Sequence, residues 1–537
     1  PMASGDRPAQ PGALRRGGEM RAAVDLGTNS FHLLIARVDA DGRFDVIAKE
    51  KEMVRLGSGS GDMTELSRDA MDRGIAALGR FRQIAESFGA ELTAVATSAL
   101  RDAQNRAEFI ERARRDAGVS IDVISGVEEA RLIHLGVLQA LPVFSEQILV
   151  VDIGGGSTEF VVGQERELRS AHSTKLGAIR LTDRFFPDGR SKPKAAKECR
   201  TYVRSFLVPT IRRLRDHRPF QAVGSSGTIN TVARMVVAGR GGDPVAATNG
   251  VAFDRGELAA VVDLVLAAPK PAQRVELEGL DEKRRDIIVG GIVLLEQIFD
   301  ALDIEDMVVS EAALREGVLL DLVERSSAPS FHHLSNIRRG SVLRMAALYH
   351  EDIGHIERAT DLALELFDAT LELHGLELDA RDLLEAAGML HNVGLFVSHA
   401  AHHKHSYYVI KHSDQLAGFT DREIERIAQI ARYHRKSEPK PSHREFQELD
   451  AAGQRIVRIL AGVLRIAIAL DRTRQGGVGD LEVTITKKAI SIEVNVDPRL
   501  DYSLEQYTVA QRTGLLGRAL DRAVEVSFAT TVPGNGP

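Results

Sequence analysis

The sequence predicts a duplicated α/β fold, followed by an all-α region and a small α/β piece at the end. From Met20 to about residue 325, short apolar strands alternate with helical stretches, a pattern typical of α/β architecture. From about residue 332 to 475 the strands disappear, and amphipathic helical patterns such as HIERATDLALELF follow one another. The segment LEVTITKKAISIEVNVD then indicates two strands around a Lys-Lys turn.

These changes of period place the predicted domain boundaries. The first residues are rich in Pro, Gly and Arg and predict a disordered extension, so that Met20 is the expected functional start. The predicted divisions are the extension at residues 1–19, a first α/β domain at 20–135, a second at 136–328, a helical domain at 329–476 and a small α/β domain at 477–537.

Length and composition indicate an ordinary globular protein of several domains. The 537 residues exceed what one hydrophobic core usually serves, and no apolar run approaches the roughly 18 to 20 residues of a membrane span. The net charge of −7 argues against a general nucleic-acid-binding protein. The single cysteine, Cys199, excludes an internal disulfide and indicates a reducing cytoplasm.

The α/β region contains an internal repeat with chemical meaning. The segments AAVDLGTNSFHLLIARV and LVVDIGGGSTEFVVGQ each run from a strand through an aspartate, Asp25 or Asp152, into a Gly-rich polar turn and a second strand. Such turns leave backbone N–H groups free to bind phosphate oxygens, and the aspartate can hold Mg²⁺. The alternative is a plain hairpin turn, which needs no carboxylate at that position.

A helix predicted between the two copies carries a candidate catalytic carboxylate. In ISGVEEARLI, Ser125 and Glu128 have capping-box spacing, which gives Glu128 a structural task. Glu129 points about 100° away around the helix and is free to orient or deprotonate a water molecule. The alternative for Glu129 is a solvated surface position.

Two further loops suit phosphate binding. In TAVATSALRDA, Arg101 falls in the first turn of a predicted helix, where a guanidinium can clamp a phosphate. In AVGSSGTINTVAR, a strand leads through a Gly-rich turn into a helix. The candidate residues of that turn are Gly224, Ser225, Gly227 and Thr228. Taken alone, each loop is equally consistent with a structural turn.

Together these motifs resemble the exopolyphosphatase and guanosine pentaphosphate phosphohydrolase (Ppx/GppA) family. The resemblance covers roughly residues 20 to 325 and includes TKLGAIRLTDRFF and VSEAALREGVL, while the C-terminal half resembles the long form with a domain related to HD phosphohydrolases. It implies an actin-like and Hsp70-like (RNase H-like) ATPase fold with the active site between the two α/β domains. It also implies a cytoplasmic homodimer that requires Mg²⁺, or Mn²⁺ in its place.

The resemblance also implies roles for individual residues. Glu129 matches the catalytic glutamate, and Arg101 matches a substrate-binding arginine. The metal positions are Asp152, Gly154 and Glu159; the phosphate-binding positions are Asp25, Thr28, Asn29, Ser30, Gly155, Gly156 and Ser157.

The expected function is exopolyphosphatase activity, the release of terminal orthophosphate from linear inorganic polyphosphate. The alternatives are pppGpp 5′-phosphohydrolase activity, a sugar or acetate kinase on the same fold, and a non-catalytic regulator that binds polyphosphate or (p)ppGpp. The motifs of the catalytic half do not separate the first two.

The C-terminal half contains the frame of an HD metal site with one departure. His355, His391-Asn392 and Asp471 stand in the expected order, but Asn392 replaces the carboxylate that would hold the metal. A neutral amide binds divalent cations weakly, so the sequence predicts a degenerate HD-like scaffold.

The same half is rich in cationic and imidazole side chains, which predict a path for a polyanion. The alternatives are histidines buried in helical cores and a solvated charged face. The candidate path residues are His402, His403, Lys404, His405, Lys411, His412, Arg432, Arg435 and Lys436.

Overall fold

The computed structural model describes residues 19–38, 44–57, 64–245, 247–326, 333–349, 353–413 and 415–530. The predicted disordered extension lies outside the described residues, apart from Glu19, which begins the first strand. The chain divides into two compact units, Pro1–Phe331 and His332–Pro537.

The first unit contains two sheets and eleven α-helices among its described residues. Its strands are β1 (Glu19–Leu26), β2 (Phe31–Val38), β3 (Phe44–Glu52), β4 (Glu91–Ala96), β5 (Ile121–Val123), β6 (Gln147–Ile153), β7 (Thr158–Gln164), β8 (Glu167–Thr174), β9 (Gln221–Ser225), β10 (Ala252–Asp254) and β11 (Asp306–Val309). Its helices are α1 (Arg68–Ser87), α2 (Ser98–Asp102), α3 (Arg106–Arg112), α4 (Gly126–Ala140), α5 (Ala178–Phe185), α6 (Pro193–Arg215), α7 (Ser226–Gly239), α8 (Arg255–Ala267), α9 (Pro271–Arg274), α10 (Ile288–Leu302) and α11 (Leu314–Ser326).

The two sheets repeat one topology. The first has the strand order β3-β2-β1-β4-β5, and the second has β10-β11-β9-β6-β7-β8. In each, an antiparallel hairpin (β1-β2 or β6-β7) pairs along its first strand with a parallel strand, β4 or β9. Asp25 and Asp152 occupy equivalent places near the ends of β1 and β6. The predicted duplication of an α/β unit is confirmed.

Helices α4 and α11 pack closely against each other. A Cβ atom at Gly136 would lie 2.0 Å from the Ala313 carbonyl oxygen, and one at Gly317 would lie 1.8 Å from that of Leu132. Glycine is therefore required at both positions, because any side chain would force the backbones apart. α11 also contacts β1 and β2, so the last helix of the unit returns to the first sheet. The boundary predicted at residue 135 falls inside α4.

A buried ion cluster joins α4 to α11. The Arg131 guanidinium, 1% exposed, donates to Glu128 Oε1 at 2.7 Å and to Asp321 Oδ1 at 2.6 Å. Ser125 caps α4 as expected, its hydroxyl accepting from the Glu128 amide at 3.1 Å. The Glu128 carboxylate thus has a structural partner in Arg131 as well as its place in the first helical turn.

The second unit consists of helices and one sheet of three strands. Its helices are α12 (His333–Leu348), α13 (Ile353–Ala369), α14 (Leu371–His374), α15 (Leu378–Leu390), α16 (His402–Lys411), α17 (Asp421–Arg432), α18 (Arg444–Gln447), α19 (Ala451–Leu470), α20 (Ser503–Ala510) and α21 (Gly514–Leu520). Its strands are β12 (Val478–Ile485), β13 (Ala489–Val496) and β14 (Ala523–Thr530).

One hydrophobic core serves the whole second unit. Leu460 and Leu464 of the central helix α19 belong to the same buried cluster as Ile490 and Ile492 of β13. A division at residue 477 would cut through this cluster and expose apolar surface from both parts. Among the described residues, no helix is both long enough and apolar enough to span a membrane.

We expect Arg131→Met to lower the free energy of unfolding of the first unit by about 3–5 kcal/mol, because Glu128 and Asp321 would stay buried without their guanidinium. Urea denaturation followed by circular dichroism measures this change. Arg114→Met is the matched control, since its ion pair with Glu111 is exposed and such pairs contribute about 0–1 kcal/mol. Equal losses in the two variants would contradict a stabilising role for the buried cluster.

Candidate active site

A polar cavity of about 210 Å³ lies in the first unit where the two repeated hairpin turns meet. A Cβ atom built on Gly155 would lie 3.0 Å from Thr28 Cβ, so the two turns are in close contact. The predicted residues that line the cavity are Asp25, Thr28, Asn29 and Ser30 from the first turn, Asp152, Gly154, Gly155 and Ser157 from the second, Glu129 from α4 and Gly227 from α7.

The turns owe their shape to glycine. A side chain at Gly27 would meet the Ser30 carbonyl oxygen at 2.9 Å, and one at Gly154 would meet that of Ser157 at 3.1 Å. The Gly154 amide donates to the Ser157 carbonyl at 3.0 Å, which closes the second turn. Each strand therefore reverses within four residues, and small polar side chains are left around the cavity.

Buried carboxylates crowd this site. Burial raises the pKa of Asp25 to about 7, with the charges of Glu129 and Asp152 adding to the effect and Arg315 opposing it. Burial likewise raises the pKa of Asp152 to about 6, against a hydrogen bond from the Ser225 hydroxyl at 2.6 Å. Asp25 Oδ1 is buried and accepts no hydrogen bond. Both carboxylates are therefore buried in surroundings that disfavour their charged form.

Glu129, the predicted catalytic residue, lies at the cavity. Its side chain lines the cavity and is 6% exposed, and its Oε2 accepts from Arg101 Nη1 at 2.9 Å. Burial raises the pKa of Glu129, while the Arg101 guanidinium opposes the rise. Arg101 also donates to the Ile124 carbonyl at 2.9 Å, so it fixes the glutamate against the start of α4.

Four cationic side chains that the sequence analysis did not single out also line the cavity: Lys51, Arg234, Arg284 and Arg315. Gly227 makes room for one of them, because a Cβ atom there would lie 1.7 Å from Arg284 Nη2. Burial, followed by the charge of Arg284, lowers the pKa of Lys51 to about 8. These cations come from four separate elements or loops, so no local sequence motif predicts that they lie together.

Several predicted site residues do not line the cavity, and some of them form hydrogen bonds around it. Arg101, Gly156, Glu159, Gly224, Ser225 and Thr228 are outside the described lining of the cavity. Ser225 holds Asp152, and Ser173 donates to Glu159 Oε1 at 2.8 Å. The Gly156 carbonyl accepts from Arg180 Nε at 3.0 Å. Ser226, whose φ of 75° is left-handed, lines the cavity next to Gly227, whereas Ser225 does not.

The fit of a divalent cation can be tested on the donors present. Burial raises the pKa values of Asp25 and Asp152 and leaves one Asp25 oxygen without a hydrogen-bond partner among the described residues. A divalent cation would stabilise the charged form of these carboxylates. Throughout the described ranges, no three His, Cys, Asp or Glu side chains are arranged to hold a metal. Mg²⁺ commonly uses one or two carboxylates and completes its shell with water and substrate phosphate oxygens. The residues fit an ion of that kind.

The HD-like frame of the second unit comes together in space. His355 Nδ1 lies 2.5 Å from Asp471 Oδ2, and the His355 and His391 rings are 6.3 Å apart between centroids. His391, Asn392 and His355 line one cavity. Burial lowers the pKa of His391 to about 4. Relationship to an HD domain stays a prediction.

Some residues of the predicted polyanion path form ion pairs, some are buried, and others are exposed. Lys411 Nζ lies 2.8 Å from Glu425 Oε2, and Arg432 Nη1 lies 3.1 Å from Glu445 Oε2. His402 and His403 are buried, whereas His405 is half-buried. The exposed members are Lys404, His412, Arg435 and Lys436.

A duplicated α/β fold with a polar, cation-lined cavity at the paired turns is typical of enzymes that act on phosphate groups. The Ppx/GppA phosphatase family model matches residues 34–326, and the model of Ppx/GppA phosphatase domain III matches residues 337–510. The chain belongs to the Ppx/GppA phosphatase family, which confirms the resemblance drawn from the motifs.

The proteins similar to this chain include some named as pyrophosphatases of guanosine-5′-triphosphate,3′-diphosphate and one named as an exopolyphosphatase. Guanosine-5′-triphosphate,3′-diphosphate pyrophosphatase of Pseudoalteromonas translucida is 30% identical over 494 residues, covering 90% of this chain and 94% of that protein. Its counterpart in Vibrio vulnificus is 30% identical over 479 residues, covering 89% and 91%. The crystal structure of an exopolyphosphatase from Cytophaga hutchinsonii has a TM-score of 0.54 and 30% identity, covering 57% of this chain and 98% of that one.

We expect Asp25→Asn to remove part of the pH dependence of stability in metal-free buffer. A carboxyl with a pKa of about 7 when folded and about 3.9 when unfolded binds more protons in the folded state. The wild-type protein therefore loses stability as the pH rises from about 4 to about 7, and the variant lacks this loss. Melting temperatures from pH 4 to 8 with EDTA check this; parallel curves for the two proteins would contradict it.

Proposed function

We propose that this protein is an exopolyphosphatase that releases terminal orthophosphate from linear inorganic polyphosphate. The observation that carries the proposal is the cavity itself, where two Gly-rich turns, four cationic side chains and the buried Glu129 surround a space of about 210 Å³. Phosphoryl transfer depends mainly on positioning and on compensation of charge, which are the two properties this lining offers.

The lining favours a bare phosphate chain at this position. Among the described residues that line the cavity there is no Phe or Tyr ring on which a base could stack, and the sequence contains no Trp. A phosphate chain needs only hydrogen-bond donors and cations.

The second candidate is pppGpp 5′-phosphohydrolase activity. It is favoured by the names of the curated relatives that cover about nine-tenths of this chain. Both substrates present a terminal phosphate on a phosphoanhydride, so the same cleft chemistry serves both.

In the proposed mechanism, Glu129 accepts a proton from the attacking water, and the Gly-rich turns bind the phosphate that is transferred. The backbone amides of Gly155 and Gly156, together with the Arg284 and Arg315 guanidiniums, stabilise charge on the transferred group. Glu129, whose pKa burial raises, accepts a proton from water more readily than an exposed carboxylate would. Arg101 keeps the glutamate in place.

We further propose that Asp152 and Glu159, with the backbone at Gly154, hold Mg²⁺, as the motifs imply. When bound, the ion supplies positive charge to the phosphate oxygens and to the bridging oxygen that leaves. In the second unit, we propose that the exposed Lys404, Arg435 and Lys436 contact a long polyanion.

We expect Glu129→Gln to reduce the rate of phosphate release by about 10²-fold or more, because an amide accepts no proton from water. Its carbonyl oxygen still accepts a hydrogen bond from Arg101, so folding and substrate binding should persist. Turnover and polyphosphate affinity are measured separately. Glu108→Gln, at an exposed position of α3, is the control, and near-wild-type turnover by the Glu129 variant would refute the assignment.

We expect phosphate release with Mg²⁺ to be fastest on long-chain polyphosphate when that substrate, pppGpp and ATP are compared, and to stop with EDTA. Initial rates at matched concentrations of terminal phosphate provide the comparison. A preference for pppGpp would replace the leading proposal with the second candidate. Release from none of the three would contradict both.

A further inference from the structure

The second unit contains a cavity of about 640 Å³ whose charge comes almost entirely from arginine. Arg435, Arg465, Arg472, Arg474 and Arg512 line it, and no Asp or Glu is among its described lining residues. The cavity lies wholly within the second unit and has no part in the phosphate chemistry proposed for the first unit.

Arg465 is the buried member of this set. It is 4% exposed, and its two terminal nitrogens donate to the Tyr433 carbonyl at 3.0 Å and the Lys436 carbonyl at 3.1 Å. Its Nε is buried and has no hydrogen-bond partner. The guanidinium is thus held rigidly by backbone groups, while its charge has no carboxylate in the lining of the cavity.

Three further arginines of the lining add charge without ion pairs of their own in the described part of the chain. Within the described part of the chain, Arg435, Arg472 and Arg512 form no ion pair. Burial lowers the pKa of Arg512, and the charges of Arg435 and Arg472 lower it further. Like charges gathered around one space destabilise the empty protein and favour a bound anion. Guanidiniums suit phosphate because their planar donors match its oxygens.

Part of the lining of the cavity is apolar and partly exposed. Leu395, Ile468 and Ala469 line it, together with Leu504 and Tyr507 of α20. Leu504 is 47% exposed and Tyr507 is 68% exposed, so the tyrosine ring offers a free face beside the arginines. A purely inorganic anion gains nothing from such a wall, whereas a nucleobase stacks on an aromatic ring.

We propose that this cavity of the second unit binds a nucleoside polyphosphate, with the phosphates on the arginines and the base on Tyr507 and Leu504. This site is separate from the catalytic cavity of the first unit and does not depend on which substrate that cavity hydrolyses. A ligand bound here would act as an effector of the enzyme or as a source of stability.

The test uses the full-length protein with β,γ-methylene GTP, β,γ-methylene ATP and inorganic tripolyphosphate. Hydrogen exchange should show protection of residues 503–512 by at least one nucleotide analogue, which localises binding to the second unit. Arg472→Ala with Arg512→Ala should weaken that binding at least tenfold. Without ligand, the melting temperature of this double variant should be no lower than that of the wild type, because the repulsion of Arg472 and Arg512 with the neighbouring arginines is removed.

Matched variants separate the site from general electrostatics. Arg444→Ala with Arg499→Ala changes the net charge equally at exposed positions outside the cavity, and should leave nucleotide binding unchanged. Tyr507→Ala should weaken nucleotide binding about tenfold and leave tripolyphosphate binding unaltered.

Two results would overturn the proposal. One is the absence of protection in the second unit with either nucleotide analogue. The other is that tripolyphosphate binds as tightly as the nucleotides and that Tyr507→Ala weakens the binding of neither. That result would identify a site for inorganic anions. Loss of phosphate release by the first unit would leave these binding results unaffected.

Discussion

The burial of like charges at the meeting point of two hairpins is the constraint on which the catalytic unit depends. Asp25 and Asp152 end equivalent strands of the two sheets, and the duplication brings them to one cavity. Carboxylates in such a place cost free energy unless cations accompany them. Arg101, Arg284 and Arg315 supply part of that compensation, and the substrate with its ion is proposed to supply the rest. Buried carboxylates whose charge is only partly compensated favour a ligand that brings both a phosphate group and a metal ion.

Sequence reasoning located the parts of the site that local chemistry dictates. The turns after Asp25 and Asp152 were recognisable because a hairpin turn does not need a carboxylate, and both turns line the cavity. Glu129 was a candidate because its neighbour Glu128 already had a structural task, and the family resemblance assigned Glu129 the catalytic role. The Ser125 cap that defines this helix is present in the structure. The duplication of the α/β unit also followed from the repeated pattern.

The parts that were missed depend on long-range packing. Lys51, Arg234, Arg284 and Arg315 are ordinary cations in sequence, and only the fold brings them to one wall. Arg101, which is predicted to bind substrate, donates a hydrogen bond to Glu129, and nothing in the sequence indicated this contact between residues 28 positions apart. In the second unit, Lys411 and Arg432 belonged to a cationic run, yet Glu425 and Glu445 pair with them. Charge counted along a chain does not reveal which charges remain free.

The return of α11 to the first sheet has a consequence for how this protein can be divided. The helix follows the second sheet in the chain, yet it packs on α4 and contacts β1 and β2. A gene split between the two copies would therefore leave the first half without a helix that covers its core. Complementation of two fragments would require residues 314–326 to travel with the N-terminal piece, so the natural order of the chain ties both copies into one folding unit.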